Sequence, residues 1–311
     1  MDLSVVIVNW NAEGYLMRCL DSVFNGMDGI SHEVIVVDNA SADGSVMKVR
    51  EKFPSVILLE NRENSGYGKA NNQGIRKSNG RNILILNPDT IVMPGSIGKL
   101  VRFIDANKQF GAAGPKILNP DKTAQYECAR NFPSPLTEFF VLTTLYKRFP
   151  KSRIFGSYLM TYWDHNDSRE VDLISGACML IKKEVFDAVG LFDENFFMYT
   201  EETDLFYRIR KAGWKVQFLS EAEIIHFWGK STEQLPYAMA VEARKTMEQF
   251  FRKHYGVGAV ICHRLAVITA SAALQGYGIL LYLFSKSNKR SGARDIVIKN
   301  NRMMKWAVGL K

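Results

Sequence analysis

LSVVIVN, at residues 3–9, is an almost continuous run of apolar and β-branched residues. Three similar runs follow: EVIVVD at 33–38, VILLE at 56–60 and NILILN at 82–87. Strands this apolar are buried on both faces, which is typical of a parallel sheet covered by helices. The four runs therefore predict an α/β fold with a mostly parallel sheet and helices on both of its faces.

Helical patterns separate these strands. Asn11 can cap a helix whose apolar residues recur at helical spacing up to Phe24. The segments 65–78 and 93–107 predict two more helices. Strand character returns at 171–183 and is followed by a short helix that ends at Gly190.

Composition and charge divide the chain into three predicted regions: 1–115, 116–240 and 241–311. The net charge is +8, yet residues 241–311 hold thirteen basic and three acidic residues, while the first 240 carry 27 and 29. Basic residues confined to one end argue against a nucleic-acid partner. The four cysteines form no CxxC pair, which indicates free thiols in a reducing cytoplasm. The opening MDLSVVIVN has no basic leader and is interpreted as a strand rather than a signal peptide.

The C-terminal region contains an apolar segment, 265–284, that carries no charge and has basic flanks. These features indicate contact with an anionic membrane surface. The segment is just long enough to span a bilayer, but positive flanks on both sides and the interruption at Gln275, Gly276 and Gly278 favour an in-plane or re-entrant helix. A single span and a buried helix of a soluble protein remain the alternatives.

Polar residues stand where the predicted strands end. Parallel sheets bind ligands outside the carboxyl ends of their strands, so Asn9, Asp38 and the Asn87-Pro88-Asp89 triplet are candidate ligand residues. Asp89 can bind Mg²⁺ or Mn²⁺, which prefer oxygen ligands, or can simply cap the next turn. Asp38 can bind a nucleotide or shape its loop. The loop at 63–74 is neither a GxGxxG nor a P-loop motif, so Walker-type phosphoryl transfer is unsupported.

Six segments occur in the order and spacing of family 2 glycosyltransferases: VVIVNWN, VIVVDNASADGS, ENSGYGKANNQG, LILNPDT, the stretch from Ser175 to Val216, and HFWGKS. The chain resembles the rhamnosyltransferase-like branch of that family over about residues 3–231. The resemblance implies a GT-A fold with a Rossmann-like nucleotide-sugar half at 1–115 and an acceptor half at 116–240. It also implies inverting transfer from a nucleotide-diphospho-sugar, with a divalent cation, Mg²⁺ or Mn²⁺.

The resemblance also implies roles for single residues. Asp38 matches the nucleotide-contacting aspartate, and Asn87-Pro88-Asp89 matches the family's DxD position, with Asn87 replacing the first aspartate. His226, with Gly229 and Ser231, resembles an HxxGxS motif near the metal and diphosphate. Arg130 falls in a segment near the acceptor or diphosphate, and Trp214 is interpreted as packing. The predicted nucleotide-sugar-binding set is Asn9, Asp38, Asn64, Gly66, Asn72, Asn87 and Asp89, and the predicted metal ligands are Asp89 and His226.

The acidic cluster in FFMYTEETDLFY (196–207) supplies the candidate base, because inversion needs one group to take the acceptor's proton. Thr200 can cap a helix there, and Asp204 can form a surface ion pair with Arg208 four residues later. Glu201 and Glu202 have no such sequence partner. The family pattern at this point is Glu-Asp with the second acid as base, which makes Glu202 the predicted base and Glu201 its supporting neighbour.

The resemblance to the rhamnosyltransferase-like branch implies transfer of rhamnose from dTDP-rhamnose. Together with the apolar C-terminal segment, it predicts a lipid-linked saccharide acceptor in cell-envelope polysaccharide synthesis, at the cytoplasmic membrane face. A UDP-hexose or GDP-mannose donor remains possible. Two other classes of protein are alternatives to a glycosyltransferase. A sugar nucleotidyltransferase normally has a glycine-rich basic loop after the first strand, where this chain has NWNAEGY. A non-catalytic nucleotide-binding membrane protein would be expected to lack the acids that Asp38, Asp89 and Glu202 provide.

Overall fold

A computed structural model describes residues 1–27, 29–227, 236–284 and 290–309. Its strands are Leu3–Asn9 (β1), His32–Asp38 (β2), Ile57–Glu60 (β3), Asn82–Leu86 (β4), Thr90–Val92 (β5), Phe110–Leu118 (β6), Ala129–Arg130 (β7), Arg169–Val171 (β8), Leu173–Ile174 (β9), Cys178–Lys182 (β10) and Lys215–His226 (β11). Its helices are Glu13–Asn25 (α1), Ser45–Lys52 (α2), Tyr67–Lys77 (α3), Ser96–Ala106 (α4), Pro135–Leu142 (α5), Leu145–Arg148 (α6), Lys183–Val189 (α7), Glu201–Lys211 (α8), Pro236–His254 (α9), Gly256–Phe284 (α10) and Arg290–Ala307 (α11), with a short 3₁₀ turn at Tyr126–Cys128.

The described strands form a nine-stranded mixed sheet in the order β3-β2-β1-β4-β10-β6-β11-β5, with β8 also paired to β11. Strands β1 to β4 are mutually parallel, and β6 and β11 run in the same direction as them; β5, β8 and β10 run in the opposite direction. A separate ribbon pairs β7 with β9. The predicted α/β fold with a mostly parallel sheet is confirmed.

The centre of the sheet is formed by β1, whose seven residues are all buried. It lies between β2 and β4, and in this register Asn9 faces Asp38 while Ile7 faces Leu86. The carboxyl ends of β1, β2 and β4 therefore meet at one edge of the sheet. Polar residues at these strand ends are brought to a common site, as the sequence predicts.

The chain folds as two compact units. Unit 1 comprises residues 1–132 and 163–231, and unit 2 comprises residues 133–162 and 232–311. Unit 1 contains the whole nine-stranded sheet, and β6 continues through the predicted boundary at residue 115. The division of the first 240 residues into a nucleotide half and an acceptor half stays a prediction about function.

In unit 2, α10 is one unbroken helix of 29 residues, so Gln275, Gly276 and Gly278 do not interrupt it. Backbone hydrogen bonding tolerates isolated glycines in a helix at a modest loss of stability. An unbroken helix gives no support to the re-entrant alternative. By length and composition α10 could cross a membrane, and 28% of its most apolar window is buried. The basic flank residues Lys286 and Lys289 lie outside the described residues.

One face of α10 is apolar and exposed along the helix. Positions 261, 265, 269, 272, 276, 280 and 284 are all exposed and uncharged, and they follow one another every three or four residues. The opposite face is buried within unit 2 through residues that include Val260, Val267 and Ala270. We call the exposed set the α10 stripe. It contains Ile261, Leu265 and Leu280, each more than half exposed.

Two local predictions are corrected. Asn11 does not cap α1: its backbone is left-handed, with φ of 49°, and its side-chain oxygen accepts a hydrogen bond from the backbone N–H of Ala42 at 2.7 Å. The predicted strand at 171–183 is interrupted at 175–177, before β10 begins. The predicted free thiols are confirmed, since all four cysteines are unpaired.

Candidate active site

The β1 and β2 strand ends are joined by the buried Asn9 side chain. Its amide donates to Asp38 Oδ1 at 2.9 Å and to the hydroxyl groups of Ser41 and Ser45 at 3.0 and 2.9 Å. Asp38 accepts a second hydrogen bond at Oδ2 from the Ser41 backbone. Asn9 thus orients the Asp38 carboxylate, which is 3% exposed. The nucleotide-binding roles of both residues stay predictions.

Asn64 and Gly66 shape the loop that enters α3. Asn64 Oδ1 accepts hydrogen bonds from Asn39 Nδ2 at 2.7 Å and from the Gly66 backbone at 3.0 Å. Gly66 has φ of 86°, and a Cβ there would lie 2.5 Å from the Phe197 carbonyl oxygen. Glycine is therefore required both by the left-handed backbone and by the close approach of Phe197. These contacts set the loop beside the segment that carries the acidic cluster.

Asn72 is buried and its amide is fully engaged by the protein. Its oxygen accepts from the Phe192 backbone N–H at 3.0 Å, while Nδ2 donates to the Phe192 carbonyl and to Glu194 at 2.9 Å. This arrangement ties α3 to the loop between α7 and α8. Nucleotide contact by Asn72 stays a prediction, but its hydrogen bonds in this structure are those of a support residue.

Asp89 and His226 come together at the edge of the sheet. The β5–β11 pairing sets His226 opposite Thr90, next to Asp89, and His226 Nε2 lies 3.3 Å from Asp89 Oδ1. The opposite ring nitrogen, Nδ1, lies 3.1 Å from Gln125 Oε1, and Gln125 Nε2 donates to the His226 carbonyl. Gln125 therefore fixes the imidazole ring. Gly229 and Ser231 of the predicted motif lie outside the described residues.

These donor atoms fit a divalent cation. The amide oxygen of Gln125 can only accept a hydrogen bond, so it keeps the His226 proton on Nδ1 and directs Nε2 toward Asp89, which is the second-sphere pattern of metal-binding histidines. The nearby Asn87 Oδ1 is buried and has no hydrogen-bond partner among the described residues. No group of three His, Cys, Asp or Glu residues is assembled in the described parts of the chain. Such a site needs substrate oxygens to complete it, as is usual for Mg²⁺.

The two glutamates of the acidic cluster have different surroundings. Glu201 is 5% exposed, and its Oε2 finds no hydrogen-bond partner within the described residues. Burial and the neighbouring Glu202 carboxylate raise the pKa of Glu201 well above its ordinary value. Glu202 instead accepts a hydrogen bond from Arg130 Nη2 at 2.7 Å. Glu202 therefore has a charged partner that the sequence pattern did not reveal.

The rest of the cluster is structural. Thr200 stands at the N-cap position of α8 but makes no side-chain capping bond, because its backbone is left-handed with φ of 68°. Asp204 pairs with Arg208 at 2.9 Å as predicted, but the pair is not on the surface, since the Asp204 side chain is fully buried. Trp214 packs against Gly111, in agreement with its predicted packing role.

A short turn, 175–177, lies between the Asp89 region and the glutamates. The Ala177 carbonyl accepts a hydrogen bond from the Asn87 backbone at 2.9 Å. The Gly176 carbonyl accepts from the Tyr67 hydroxyl at 2.7 Å, and a Cβ at Gly176 would lie 3.8 Å from Glu202 Cβ. The turn thus hydrogen-bonds to the NPD triplet and lies beside the proposed base, so residues far apart in sequence come close together.

Three residues of this site were not identified from the sequence: Asn39, Tyr67 and Gln125. Asn39 and Gln125 orient predicted site residues, and Tyr67 contacts the turn beside the glutamates. Gln125 lies 101 residues from His226, so no local spacing connects the two. Asn39 directly follows the predicted strand-end residue Asp38, and this position could have identified it as a candidate site residue.

The chain belongs to glycosyltransferase family 2: the family described as "Glycosyl transferase family 2" matches residues 4–190. The predicted family is thereby confirmed. Within it the chain is similar to rhamnosyltransferases. It is 31% identical to the N-acetylglucosaminyl-diphospho-decaprenol L-rhamnosyltransferase of Mycobacterium tuberculosis, over 82% of this chain and 85% of that protein. It is 24% identical to rhamnosyltransferase WbbL of Escherichia coli strain K12, over 72% and 82%.

The fold is shared with solved transferases. Mannosyltransferase PcManGT from Pyrobaculum calidifontis, solved with GDP-Man and Mn²⁺, superposes with a TM-score of 0.59 at 18% identity. The match covers 99% of this chain and 86% of that one. This likeness confirms the predicted GT-A architecture.

Proposed function

We propose that the protein is an inverting glycosyltransferase that moves rhamnose from dTDP-rhamnose to a lipid-linked saccharide in cell-envelope polysaccharide synthesis. The observation that carries the proposal is the 175–177 turn, which hydrogen-bonds to Asn87, two residues before Asp89, and lies beside Glu202, so that it connects the surroundings of two different groups. One is the Asp89–His226 pair, which suits a cation and a diphosphate, and the other is the acidic pair, which suits proton abstraction. Similarity to rhamnosyltransferases supports the sugar, and the decaprenol-linked substrate named for the mycobacterial relative supports the acceptor class.

On the donor side, Asp89 and His226 would hold a divalent cation, Mg²⁺ or Mn²⁺, with Asn87 nearby. When bound, the cation supplies Lewis-acid stabilisation of the charge that develops on the leaving diphosphate. Gln125 keeps the His226 ring oriented, and Asn9 fixes the Asp38 carboxylate, which would contact the nucleotide. The protein's contribution here is preorganisation, because these groups are already in position before the donor binds.

On the acceptor side, Glu202 takes the proton of the attacking hydroxyl. The acceptor oxygen forms a bond to the anomeric carbon while the bond from that carbon to the diphosphate oxygen breaks, and the nucleoside diphosphate leaves. One displacement inverts the anomeric configuration. Glu202 accepts a hydrogen bond from Arg130, whereas Glu201 is buried and its pKa is raised, so Glu202 is the member of the pair that we propose as the proton acceptor.

Membrane association belongs to the same proposal, because a lipid-linked acceptor lies at a membrane. The α10 stripe offers an apolar surface, and exposed basic residues flank it in unit 2: Arg252, Lys253, Arg290, Arg294 and Arg302. An apolar helix face with nearby cations suits an in-plane position at an anionic surface. We place the protein at the cytoplasmic face, where nucleotide sugars are available.

Purified protein incubated with a panel of sugar nucleotides, a lipid-diphospho-saccharide acceptor and Mn²⁺ or Mg²⁺ tests the proposal. We expect transfer from dTDP-rhamnose that is lost with a chelator. Asp89→Asn should lower kcat/KM by about 10²-fold or more, because a preorganised electrostatic contact is removed. Glu202→Gln should lower kcat by about 10²–10⁴-fold, the contribution of a general base, while dTDP binding persists.

Glu51→Gln, at an exposed position on α2, is the matched control and should transfer at the normal rate. Failure of every donor to bind or react, with and without metal, would contradict the proposal. Near-normal transfer by Glu202→Gln would move the role of base to another acid of the cluster.

A further inference from the structure

The acidic cluster contains a buried ion pair, Arg130–Glu202. The proposed reaction needs a carboxylate base but does not by itself require an arginine paired with it. Both side chains are largely buried, 13% and 12% exposed, and the N–O distance is 2.7 Å. Charged groups at this depth are rarely retained without a partner, because removing them from water is unfavourable. The buried Arg130–Glu202 pair therefore needs a functional explanation, whereas an exposed ion pair such as Arg210–Glu170 does not.

We propose that Arg130 is a positioning residue for the base: it selects Glu202, rather than Glu201, as the ionised carboxylate and fixes its direction. The inference rests on the proposed function, since that function makes Glu202 the proton acceptor. Two adjacent carboxylates in a buried site resist simultaneous ionisation. The guanidinium donates a hydrogen bond to Glu202, which favours the negative charge on that carboxylate.

The backbone around Arg130 supports this role. Arg130 lies on β7, which pairs with β9 so that Arg130 faces Leu173 and Ala129 faces Ile174. Directly after β9 comes the 175–177 turn, and the Ser175 N–H donates to the Cys128 carbonyl. The same short ribbon therefore holds the arginine and the turn that lies beside Glu202. Side chain and turn are fixed together relative to the base.

The other groups near Glu202 do not compete for its charge. Burial and the Glu202 carboxylate raise the pKa of Glu201, its neighbour on α8, and so disfavour ionisation of Glu201. Tyr67 on α3 is half-buried, and desolvation together with both glutamates raises the pKa of its hydroxyl well above the ordinary value. Asp204 is paired with Arg208. Arg130 is thus the cation that faces the glutamate pair among these groups.

A glutamate base needs more positional restraint from Arg130 than the family's aspartate would. The extra methylene adds a rotatable bond, so the carboxylate of Glu202 has more positions available than an aspartate would. A guanidinium offers fixed, directional N–H donors, which limit those positions. We expect lysine to preserve charge at position 130 but not direction.

The test is the pH dependence of kcat/KM for Arg130→Met, Arg130→Lys and the matched control Arg210→Met. A nearby guanidinium favours the ionised form of a carboxylate, so the acid limb of Arg130→Met should move upward by about one to three pH units, with activity recovering toward alkaline pH. Arg130→Lys should keep most of the acid-limb position and still react more slowly. Arg210→Met removes an exposed ion pair of α8 and should leave the profile unchanged.

Two further observations distinguish a role of Arg130 at the base from a role at the diphosphate. The dTDP affinity of Arg130→Met should stay within about twofold of the wild type; a large loss of affinity with an unmoved acid limb would show that Arg130 binds the diphosphate, and would overturn the proposal. A rate loss of Arg130→Met that is equal at every pH would also overturn the proposal, since Arg130 would then have no influence on the ionisation of the base.

A double-mutant cycle compares the melting temperatures of Arg130→Met, Glu202→Gln and the double variant with that of the wild type. Because it does not depend on catalytic activity, it separates failure of this inference from failure of the proposed function. At pH 7 the double variant should melt at a higher temperature than the sum of the two single shifts predicts. Additive shifts would overturn the pairing even if transfer is observed.

Discussion

Glu201 shows how burial changes the chemistry of a single side chain. Its carboxyl group is 5% exposed at the start of α8, and its pKa lies well above the ordinary value of 4.5 because of burial and the adjacent Glu202. A helix N-terminus by itself favours negative charge. At this position desolvation outweighs the helix dipole and disfavours the charged form. The cluster thus presents one buried carboxyl group with a raised pKa and one that is ion-paired.

The raised pKa of Glu201 predicts a pH-dependent stability. The folded protein keeps the Glu201 proton to a higher pH than the unfolded chain, so this contribution to stability is complete below pH 4.5 and is lost as the pH rises through the folded pKa. Glutamine cannot ionise. We therefore expect the unfolding free energy of Glu201→Gln to increase relative to that of the wild type as the pH rises from 5 to 8. Denaturant unfolding at each pH measures this difference.

Glu51→Gln serves as the control, since Glu51 is exposed on α2 and should show the same pH slope as the wild type. Parallel curves for Glu201→Gln and the wild type would show that Glu201 is ionised in the folded protein, contrary to its buried environment.

At the residue scale, the sequence singles out candidate acids but does not show which side chains orient them. Asp38, Asp89 and Glu202 could be singled out because strand ends and the family pattern mark them. Arg130 and Gln125 lie 72 and 101 residues from the side chains they orient. Such pairings depend on the tertiary fold, for which a single sequence holds no periodic signal.

At the scale of elements, α3 packs closely on the central strand through Gly74. A Cβ at that position would lie 2.4 Å from a methyl carbon of Val6 on β1 and 3.4 Å from one of Val37 on β2. Backbone and buried side chain approach so closely that only a hydrogen fits between them. This contact sets the distance between α3 and the sheet, and α3 in turn carries Tyr67 and Asn72.

Gly74→Ala should lower the unfolding free energy by about 1–3 kcal/mol, the usual effect of overpacking a core. Gly14 on α1 has no atom within 4 Å of its would-be Cβ, so Gly14→Ala is the matched control. It should be neutral or stabilising by up to roughly 1 kcal/mol, because alanine is the better helix former. Denaturant unfolding of both variants checks the pair; equal effects would contradict the packing argument.

The elements of unit 1 were largely predictable, and the exceptions have a common cause. Strands β1, β2 and β4 could be predicted because both of their faces are buried, which gives each of them a nearly continuous apolar sequence. The antiparallel insertion of β10 between β4 and β6 was not predicted, since an apolar strand pairs equally well in either direction. The interruption at 175–177 was missed for a related reason: Ser175, Gly176 and Ala177 are compatible with a strand, and only their long-range hydrogen bonds make them a turn.

At the scale of the whole molecule, the α10 stripe predicts how the protein reaches its acceptor. Leu265→Glu and Leu280→Glu, at positions 55% and 56% exposed, should each weaken sedimentation with phosphatidylglycerol vesicles about tenfold or more. Burying a leucine side chain is worth ~1.5–3 kcal/mol, and 1.4 kcal/mol corresponds to a factor of ten.

Met47→Glu is the control, because Met47 is a 70% exposed apolar residue on α2 of unit 1. It should bind vesicles as the wild type does. If the two α10 variants also bind normally, the stripe is not the membrane contact, and the basic residues of unit 2 alone would have to account for any association.

The position of β10 within the sheet has a practical consequence for dissecting the protein. A fragment that ends at residue 115 would contain β4 without its neighbour, leaving a row of unsatisfied N–H and C=O groups along an apolar edge. It would also separate Asn72 from Phe192 and Glu194. Such a fragment is expected to aggregate on expression, so donor recognition has to be studied in a polypeptide that extends at least through β11.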